Sequence, residues 1–349
     1  MELKLDGGDP VIFRKWWDHV NNNLKLDILP SSRELLSTNS LLEYSSDEAE
    51  VTLTGDIVKK FHSHYSHDEN NTYSDYSILF ANGSTQVIHA ILHTIARIKG
   101  RQIRVGYSYP YYHMMNDLIS NDKMFSLVIL DSNDLLANNM DVDVEIVTTP
   151  NNPKGTSHKK KSNARYIIYD RAYSWPWYTS DYKADLQQEE IVVYTSSKLF
   201  GMGGIRIGWC FIKEGHLADE IKETIHYMSI DINRLGLYIV RKIMTMLNAS
   251  KEERVTLHEI ISKELTRRRS LINEYLTVMN TNGPYAWIYE GDDTERGGKG
   301  NITVKMKEKY NIVVCPGSRF GTSECFARLS LISSDEVFEE LIKRISSDR

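Results

Sequence analysis

The sequence predicts an α/β protein in which a large three-layer α/β/α domain, built on a mostly parallel sheet, is joined to a smaller α+β domain. Three observations lead there. Short runs rich in Ile, Val and Tyr recur between residues 77 and 212, separated by connections, which marks strands covered on both faces. From Glu214 to about Met279 the pattern turns mainly helical, and short strands follow before a final amphipathic helix. The composition, 41% hydrophobic and 26% charged over 349 residues, is that of a globular chain long enough for two domains. The expected division is an N-terminal segment 1–40 that joins the small domain and the substrate site, a large domain 41–245 and a small domain 246–349.

The first forty residues are mixed, with an aromatic pair at Trp16–Trp17 and a break at Pro30. A polar stretch from His62 to Asp75 reads as an exposed loop. Ser77–Ala81 reads as a strand ending in the turn Asn82-Gly83. The next segment, Ser84 to Ile98, carries Val87, Ile88, Ile91, Leu92 and Ile95 at helical spacing and is expected to be largely buried. Strands are then expected at Ile103–Tyr107, Phe125–Leu130, Val142–Thr148, Tyr166–Tyr169, Ile191–Thr195 and Ile205–Ile212. Beyond the helical region, strands are expected at Tyr285–Tyr289, Ile302–Met306, Asn311–Cys315 and Arg328–Leu331. The last helix, Asp335–Ile345, gathers Val337, Phe338, Leu341, Ile342 and Ile345 on one side.

Several classes are disfavoured. No run approaches the ~18 apolar residues of a membrane span, and Met1 to Pro30 has no apolar core of a signal peptide. A net charge of −5 argues against a dedicated nucleic-acid binder. Three cysteines, none in a CxxC pair, exclude a disulfide scaffold or zinc ribbon and suit a reducing, cytoplasmic compartment.

In a parallel sheet with helices on both faces, ligands sit at the C-terminal strand ends. Here those ends deliver Gly83-Ser84-Thr85, then Asn151-Asn152-Pro153-Lys154-Gly155, then Asp170 with Tyr173, then Thr195-Ser196-Ser197-Lys198 with Arg206. Ser84 and Thr85 at a helix start, with Thr195 and Arg206, suit a phosphate. Asp170 suits a protonated pyridine nitrogen, Asn152 and Tyr173 a ring hydroxyl, Tyr112 the ring face, and Lys198 a Schiff base. Together they describe a pyridoxal phosphate site.

At these residues the sequence resembles the fold-type I pyridoxal phosphate aminotransferases, within the branch of the tryptophan aminotransferases of auxin synthesis and the alliinase C-terminal domain. The matching segments run in family order along nearly the whole chain. They are Gly8-Asp9-Pro10 with Trp17, Asn82 to Gln86, Tyr109 to Tyr112, Val147 to Gly155, Asp170 to Pro176, Thr195 to Gly201, Gly204 to Trp209, Val314 to Gly321, and Arg328-Leu329-Ser330. The resemblance implies that Lys198 holds the cofactor and later carries the proton. It implies that Asp170 pairs with the ring nitrogen, Asn152 and Tyr173 contact the ring oxygen, and Tyr112 stacks on the ring. Ser84, Thr85, Thr195 and Arg206 would hold the phosphate, Arg328 the substrate carboxylate, and the Gly8 backbone would lie beside it. A homodimer is implied, with Tyr44 a candidate to reach across.

The chain departs from the family in a short connection between Gly155 and Tyr166, in a small C-terminal unit, and in having no cysteine-rich module ahead of the catalytic region. By analogy, Met114, Trp175, Trp177 and Trp287 would wall an aromatic pocket. The expected activity is transfer of an amino group from an aromatic, tryptophan-like L-amino acid to a 2-oxo acid. A carbon–sulfur lyase acting on S-substituted cysteines is the alternative. A degenerate binding module would show damage at Lys198, Asp170 or Arg206, and all three are intact. No metal site is expected: His62, His64 and His67 sit in the polar stretch, and His89 and His93 share a helix face without a third ligand, so packing is the default. The basic run His158 to Lys161 with Arg165 reads as a solvated loop, and Cys315 as a core thiol.

Overall fold

Strand β1 (Leu3–Lys4) lies near the start of the chain, and the next seven strands form the central sheet. They are β2 (Tyr76–Ala81), β3 (Ile103–Tyr107), β4 (Phe125–Ile129), β5 (Val144–Thr148), β6 (Tyr166–Asp170), β7 (Glu190–Thr195) and β8 (Gly208–Lys213), in the order β2-β8-β7-β6-β5-β3-β4. The computed structural model describes residues 2–7, 11–24, 29, 48–65, 73, 76–130, 141–179, 190–291 and 300–348. The pairs among β3 to β7 are parallel, whereas β8 runs antiparallel to both its neighbours. Every residue of β5 is buried, as expected of a strand covered on both faces.

Helix α1 (Arg14–His19) packs against the long helix that spans Lys251–Asn273, and helices α2 (Glu48–Ser63), α3 (Ser84–Lys99), α4 (His113–Asn121), α5 (Ser196–Leu199), α6 (His216–Ser229) and α7 (Arg234–Ala249) surround the central sheet. One face is filled by α3, α4 and α6, through Val87, Ile91, Ile95, Ile119, Ile221 and Ile225. The other is filled by α2 and α7, through Val58, Phe61, Leu237, Ile243 and Leu247. A three-layer α/β/α arrangement results.

Past α7 come α8 (Lys251–Asn273), β9 (Thr277–Val278), β10 (Tyr285–Tyr289), α9 (Ile302–Tyr310), β11 (Ile312–Val313), β12 (Cys315–Pro316), β13 (Phe326–Ser330) and α10 (Asp335–Ile345). Strands β12, β13, β10 and β9 form an antiparallel sheet in that order. β1 pairs in parallel with β11, which brings the beginning of the chain onto this C-terminal unit.

Four expectations change. Ile302–Met306 is the start of helix α9 rather than a strand. Its β-branched triplet Ile-Thr-Val is overridden by a cap, since Asn301 Oδ1 accepts the Val304 N–H at 3.0 Å. Ile302, Met306 and Tyr310, four apart, are then all buried on one side. The strand expected from Ile205 begins only at Gly208, because Arg206 takes a left-handed conformation (φ 52°) that turns the chain first. His62 is not in an exposed loop but buried in the last turn of α2. It accepts the Trp209 indole N–H at 3.2 Å, and burial, then the Arg171 charge, pushes its pKa down to about 3. Finally, His89 and His93 do have a third polar partner: both Nε2 atoms reach Asp122 Oδ2, at 3.2 and 2.9 Å. His67 lies outside the described residues.

Candidate active site

The C-terminal ends of β2, β5, β6 and β7, and the start of the reversed β8, meet at one sheet edge. In register, Ala81 lies opposite Gly208, which lies opposite Thr195. On the next strands Thr148 lies opposite Asp170. Sheet pairing alone therefore brings together segments more than a hundred residues apart.

At the β2 end the chain turns into α3 through Gly83, whose φ of 95° favours glycine. No side chain caps α3, so its first N–H groups, including those of Ser84 and Thr85, are left for a ligand. A Cβ on Gly83 would sit 2.2 Å from Arg206 Nη2, and one on Gly208 would sit 2.3 Å from the Ser84 nitrogen. The Gly83–Ser84 backbone is thus wedged between the Arg206 guanidinium and β8. Arg206 donates from Nη1 to the Gly203 carbonyl (2.9 Å) and from Nη2 to that of Asn82 (3.4 Å), which aims it over this turn. Thr195 accepts the Ser197 N–H at 3.2 Å and so starts the short helix that carries Lys198. The result is an anion cup of helix N–H groups, the Ser84 hydroxyl, Thr195 and an arginine. Thr85 lies at the same helix start but its side chain is exposed.

Asp170, at the end of β6, is buried and, among the described residues, accepts one hydrogen bond, from the Ala172 N–H at 3.2 Å. Burial pushes its pKa up to about 6 against that bond. A buried carboxylate with so little compensation calls for a cation. Tyr112, at the N-terminus of α4, has its hydroxyl pushed up to about 12. Burial is the main cause, followed by Tyr285 and Asp170 raising it and by Arg328 and Arg206 opposing them. The Tyr112 backbone N–H donates to the Tyr107 hydroxyl at 3.2 Å. The Tyr112 hydroxyl donates to Met114 Sδ at 3.0 Å.

Arg328, on β13, is buried. Its Nη1 donates to Asn152 Oδ1 at 3.0 Å and its Nη2 to the Asp6 carbonyl at 2.7 Å. The guanidinium lies 4.3 Å from the Tyr285 ring centroid and 5.0 Å from that of Phe320, which fixes its plane. Its buried Nε has no acceptor among the described residues. Asn152 Nδ2 in turn donates to the Tyr173 hydroxyl at 3.4 Å, and that hydroxyl is 3.0 Å from the hydroxyl of Tyr285. Within this buried pair the two hydroxyls diverge. Burial above all drives Tyr173 well above the usual tyrosine range, whereas at Tyr285 the charges of Lys198 and Arg328 and the Tyr173 hydrogen bond outweigh burial and lower it.

Ser84, Thr195 and Arg206 therefore gather at the cup, and Asn152, Tyr173 and Arg328 form one polar chain. Asp170 ends β6 and Lys198 follows the end of β7; the charge of Lys198 acts on Tyr285 and that of Asp170 on Tyr112, and the Lys198 carbonyl accepts the Tyr178 hydroxyl at 3.0 Å. Gly8 and Tyr44 lie outside the described residues. The aromatic wall is placed differently. Trp175 and Trp177 stack on each other (5.8 Å between centroids) inside the main core, and Trp287 stacks on Phe326 in the small-sheet core. Met114 is exposed. Among the described residues, the rings that lie against the Arg328 guanidinium are those of Tyr285 and Phe320. The strand pattern does not single out Tyr285, because its link to Arg328 is a diagonal across the β10–β13 register, where Tyr285 lies opposite Ser330 and Trp287 opposite Arg328.

The family model described as "Allinase" matches residues 3–281. The chain belongs to this family. It is similar to tryptophan aminotransferase-related protein 2 of Oryza sativa subsp. japonica, 23% identical over 99% of this chain and 73% of that protein. It is also similar to alliin lyase 1 of Allium sativum, 24% identical over 96% of this chain and 72% of that protein. Among solved structures, an aspartate aminotransferase from Thermotoga maritima superposes with a TM-score of 0.68 at 14% identity, covering 100% of this chain and 92% of that one, which shows a shared fold. Fold and family are those of pyridoxal-phosphate-dependent enzymes.

The allinase-family site fits that cofactor on its own chemistry. The cup offers a phosphate uncapped helix N–H groups and a guanidinium held over Gly83. The buried Asp170 carboxylate, with the Ala172 N–H as its hydrogen-bond donor, offers a partner to a protonated ring nitrogen. Asn152 and Tyr173 offer a hydrogen-bonding pair to a ring oxygen, and Lys198 an amine.

Proposed function

We propose that this chain is an aminotransferase that takes the amino group from an aromatic L-amino acid of tryptophan-like kind and passes it to a 2-oxo acid. The observation that carries the reading is Arg328: a buried guanidinium clamped between Tyr285 and Phe320, with its Nη atoms tied to Asn152 and the Asp6 carbonyl and its Nε without an acceptor among the described residues. A buried fork with spare N–H groups is suited to an α-carboxylate. The aromatic rings that sandwich it give an adjoining aromatic side chain surfaces to pack on.

When bound, pyridoxal phosphate supplies an electron sink that makes the substrate's α-proton acidic. The chain's residues do the rest. Ser84, Thr195, Arg206 and the first N–H groups of α3 bind the phosphate, and Asp170 holds the ring nitrogen in its protonated form. Arg328 orients the substrate so that its α-carbon faces Lys198. Lys198 Nζ, as the free amine, removes the proton from that carbon. Tyr173 and Asn152 keep the ring oxygen hydrogen-bonded.

The second reading is carbon–sulfur elimination from an S-substituted cysteine, supported by similarity to the garlic lyase over the same span and at nearly the same identity. One experiment separates the two. Absorption spectra of the cofactor-loaded protein are recorded before and after adding L-tryptophan without an acceptor. Stoichiometric loss of the cofactor's visible band, with indole-3-pyruvate released, supports the transaminase. An unchanged band, with pyruvate and ammonia formed from an S-alkyl cysteine sulfoxide, moves the assignment to the lyase. Failure to take up the cofactor overturns both.

A further inference from the structure

The polar cluster formed by His89 and His93 on α3 and by Asp122, the residue that ends α4, shares no residue with the anion cup or the Arg328 chain. The two histidines sit one turn apart on one helix face. His93 Nε2 lies 2.9 Å from His89 Nε2 and 2.9 Å from Asp122 Oδ2, and His89 Nε2 lies 3.2 Å from the same oxygen. Three side-chain atoms thus converge on one point from segments about thirty residues apart in sequence.

Hydrogen bonding alone does not satisfy this triangle. Each Nε2 carries either a proton or a lone pair in the ring plane, never both. With Asp122 ionised, protons on both nitrogens set two N–H groups against each other, and a proton on only one leaves a lone pair facing the carboxylate. At least one edge is repulsive in every arrangement. A cation removes the conflict, because all three atoms then present lone pairs to it. The spacing fits: three ligands about 2.0–2.2 Å from a metal ion, at roughly right to tetrahedral angles around it, lie about 3 Å from one another.

The surroundings orient these atoms for that task. The other carboxylate oxygen, Asp122 Oδ1, accepts the Met124 N–H at 2.9 Å, which turns Oδ2 toward the imidazoles. The Phe125 ring lies 6.0 Å from the His89 ring and 5.0 Å from that of His93, covering one flank. Each of the three side chains stays partly exposed, at 34%, 31% and 23%, so a fourth coordination position opens to solvent.

We propose that His89, His93 and Asp122 form a site for a divalent first-row transition ion of the zinc class, which ties α3 to the turn entering β4. Two imidazole nitrogens and one carboxylate oxygen select this class over calcium or magnesium, whose shells are built of oxygen. The tie has a structural consequence, since α3 begins at the anion cup and α4 begins at Tyr112.

The test uses untagged, cofactor-loaded protein stripped of metal with a chelator and then equilibrated with Zn2+. One Zn2+ per chain is expected. His93→Gln and Asp122→Asn should each weaken uptake by at least the roughly 10–100-fold that follows loss of an outer partner of a metal ligand, with the cofactor's absorption and the circular dichroism unchanged. At about 100 times its dissociation constant the ion should raise Tm by roughly 2–4 °C in the wild type and in neither variant. Co2+ in place of Zn2+ should give ligand-field bands to longer wavelength than the cofactor band, absent from both variants. Lack of stoichiometric uptake by the wild type overturns the site. So does uptake that His89→Gln, His93→Gln and Asp122→Asn all retain.

Discussion

The two sides of the active site are assembled in different ways. On the cofactor side, Ser84, Asp170, Thr195 and Lys198 stand at or just beyond the ends of adjacent strands, and one sheet register aligns them. On the substrate side, the contacts join remote segments: Arg328 to Asp6 across 322 residues, Arg328 to Asn152 across 176, and Tyr173 to Tyr285 across 112. The first arrangement is preorganised by the large sheet itself. The second exists only when the small sheet and the N-terminal strand are docked against the large one. Damage on the first side should therefore strike cofactor and chemistry, and damage on the second should strike substrate affinity.

The largest effect is expected at Lys198. Lys198→Ala removes the amine that holds the cofactor and moves the proton, and turnover should fall by on the order of 10⁶, measured as product formed under substrate saturation. The protein should stay folded, because the Lys198 carbonyl, not its amine, accepts the Tyr178 hydroxyl. Retained turnover would remove Lys198 from the reaction and break the cofactor side of the comparison.

Asp170→Asn should come next. Replacing the buried carboxylate by a neutral amide leaves a buried positive ring without its partner, an effect of about 3–5 kcal/mol or roughly 10²–10⁴ in rate. The pH dependence gives a second measurement. With the Asp170 pKa pushed up to about 6, cofactor affinity should be flat above pH 6 and fall as pH drops through it, as the carboxyl protonates. Stability of the cofactor-free protein should respond the other way. A raised folded-state pKa means that the folded state binds more protons, so this group's contribution grows as pH falls from 6 toward 4 and amounts to about 3 kcal/mol at most. His62, held near 3, acts oppositely, because the unfolded chain takes up the proton first and stability falls as pH drops below about 6.5. The Asp170 contribution is therefore read as the difference between wild type and Asp170→Asn across that window.

The same contrast explains what is legible in the sequence. Residues at consecutive strand ends need only the strand pattern and the rule that ligands sit at those ends, so Asp170, Thr195 and Lys198 can be read from the amino-acid order alone. Arg328 is placed through its segment's resemblance to the family. Tyr285 and the Asp6 carbonyl are not legible, because only the β10–β13 register and the β1–β11 pairing bring them to Arg328. Trp175 and Trp177 mislead for a related reason: they follow the catalytic strand closely, but the chain turns them back into the core beside Phe61 and Tyr194. Asp122 is separated in sequence from His89 and His93 by the whole of β3 and α4.

On the substrate side, Arg328→Lys keeps the charge and loses the fork. It should raise KM for the amino acid by about 10–100-fold, the worth of one charge-assisted hydrogen bond or more, with kcat changed much less. Steady-state kinetics over the amino-acid concentration check this, and an equal fall in kcat with KM unchanged would place Arg328 in the chemistry instead of in binding.

The smallest effect on rate is expected at Tyr285, where Tyr285→Phe deletes one hydroxyl and should cost about 2–10-fold. Its sharper reading is spectroscopic, because this residue is where the two sides touch. The charges of Lys198 and Arg328 hold the Tyr285 hydroxyl below the ordinary tyrosine range, while Tyr173, its hydrogen-bonded neighbour, is held above it. In the cofactor-free protein, where Lys198 keeps its ammonium charge, the pair should therefore release its first proton from Tyr285, giving tyrosinate absorbance at lower pH than a solvent-exposed tyrosine. Tyr285→Phe should abolish that early component. Lys198→Ala, which removes a positive charge near the hydroxyl, should move it to higher pH without abolishing it. If the early component survives Tyr285→Phe, or ignores Lys198→Ala, then the substrate-side tyrosine and the cofactor-side lysine are electrostatically separate, and the contact between the two sides rests on the hydrogen bonds of Asn152 and Tyr173.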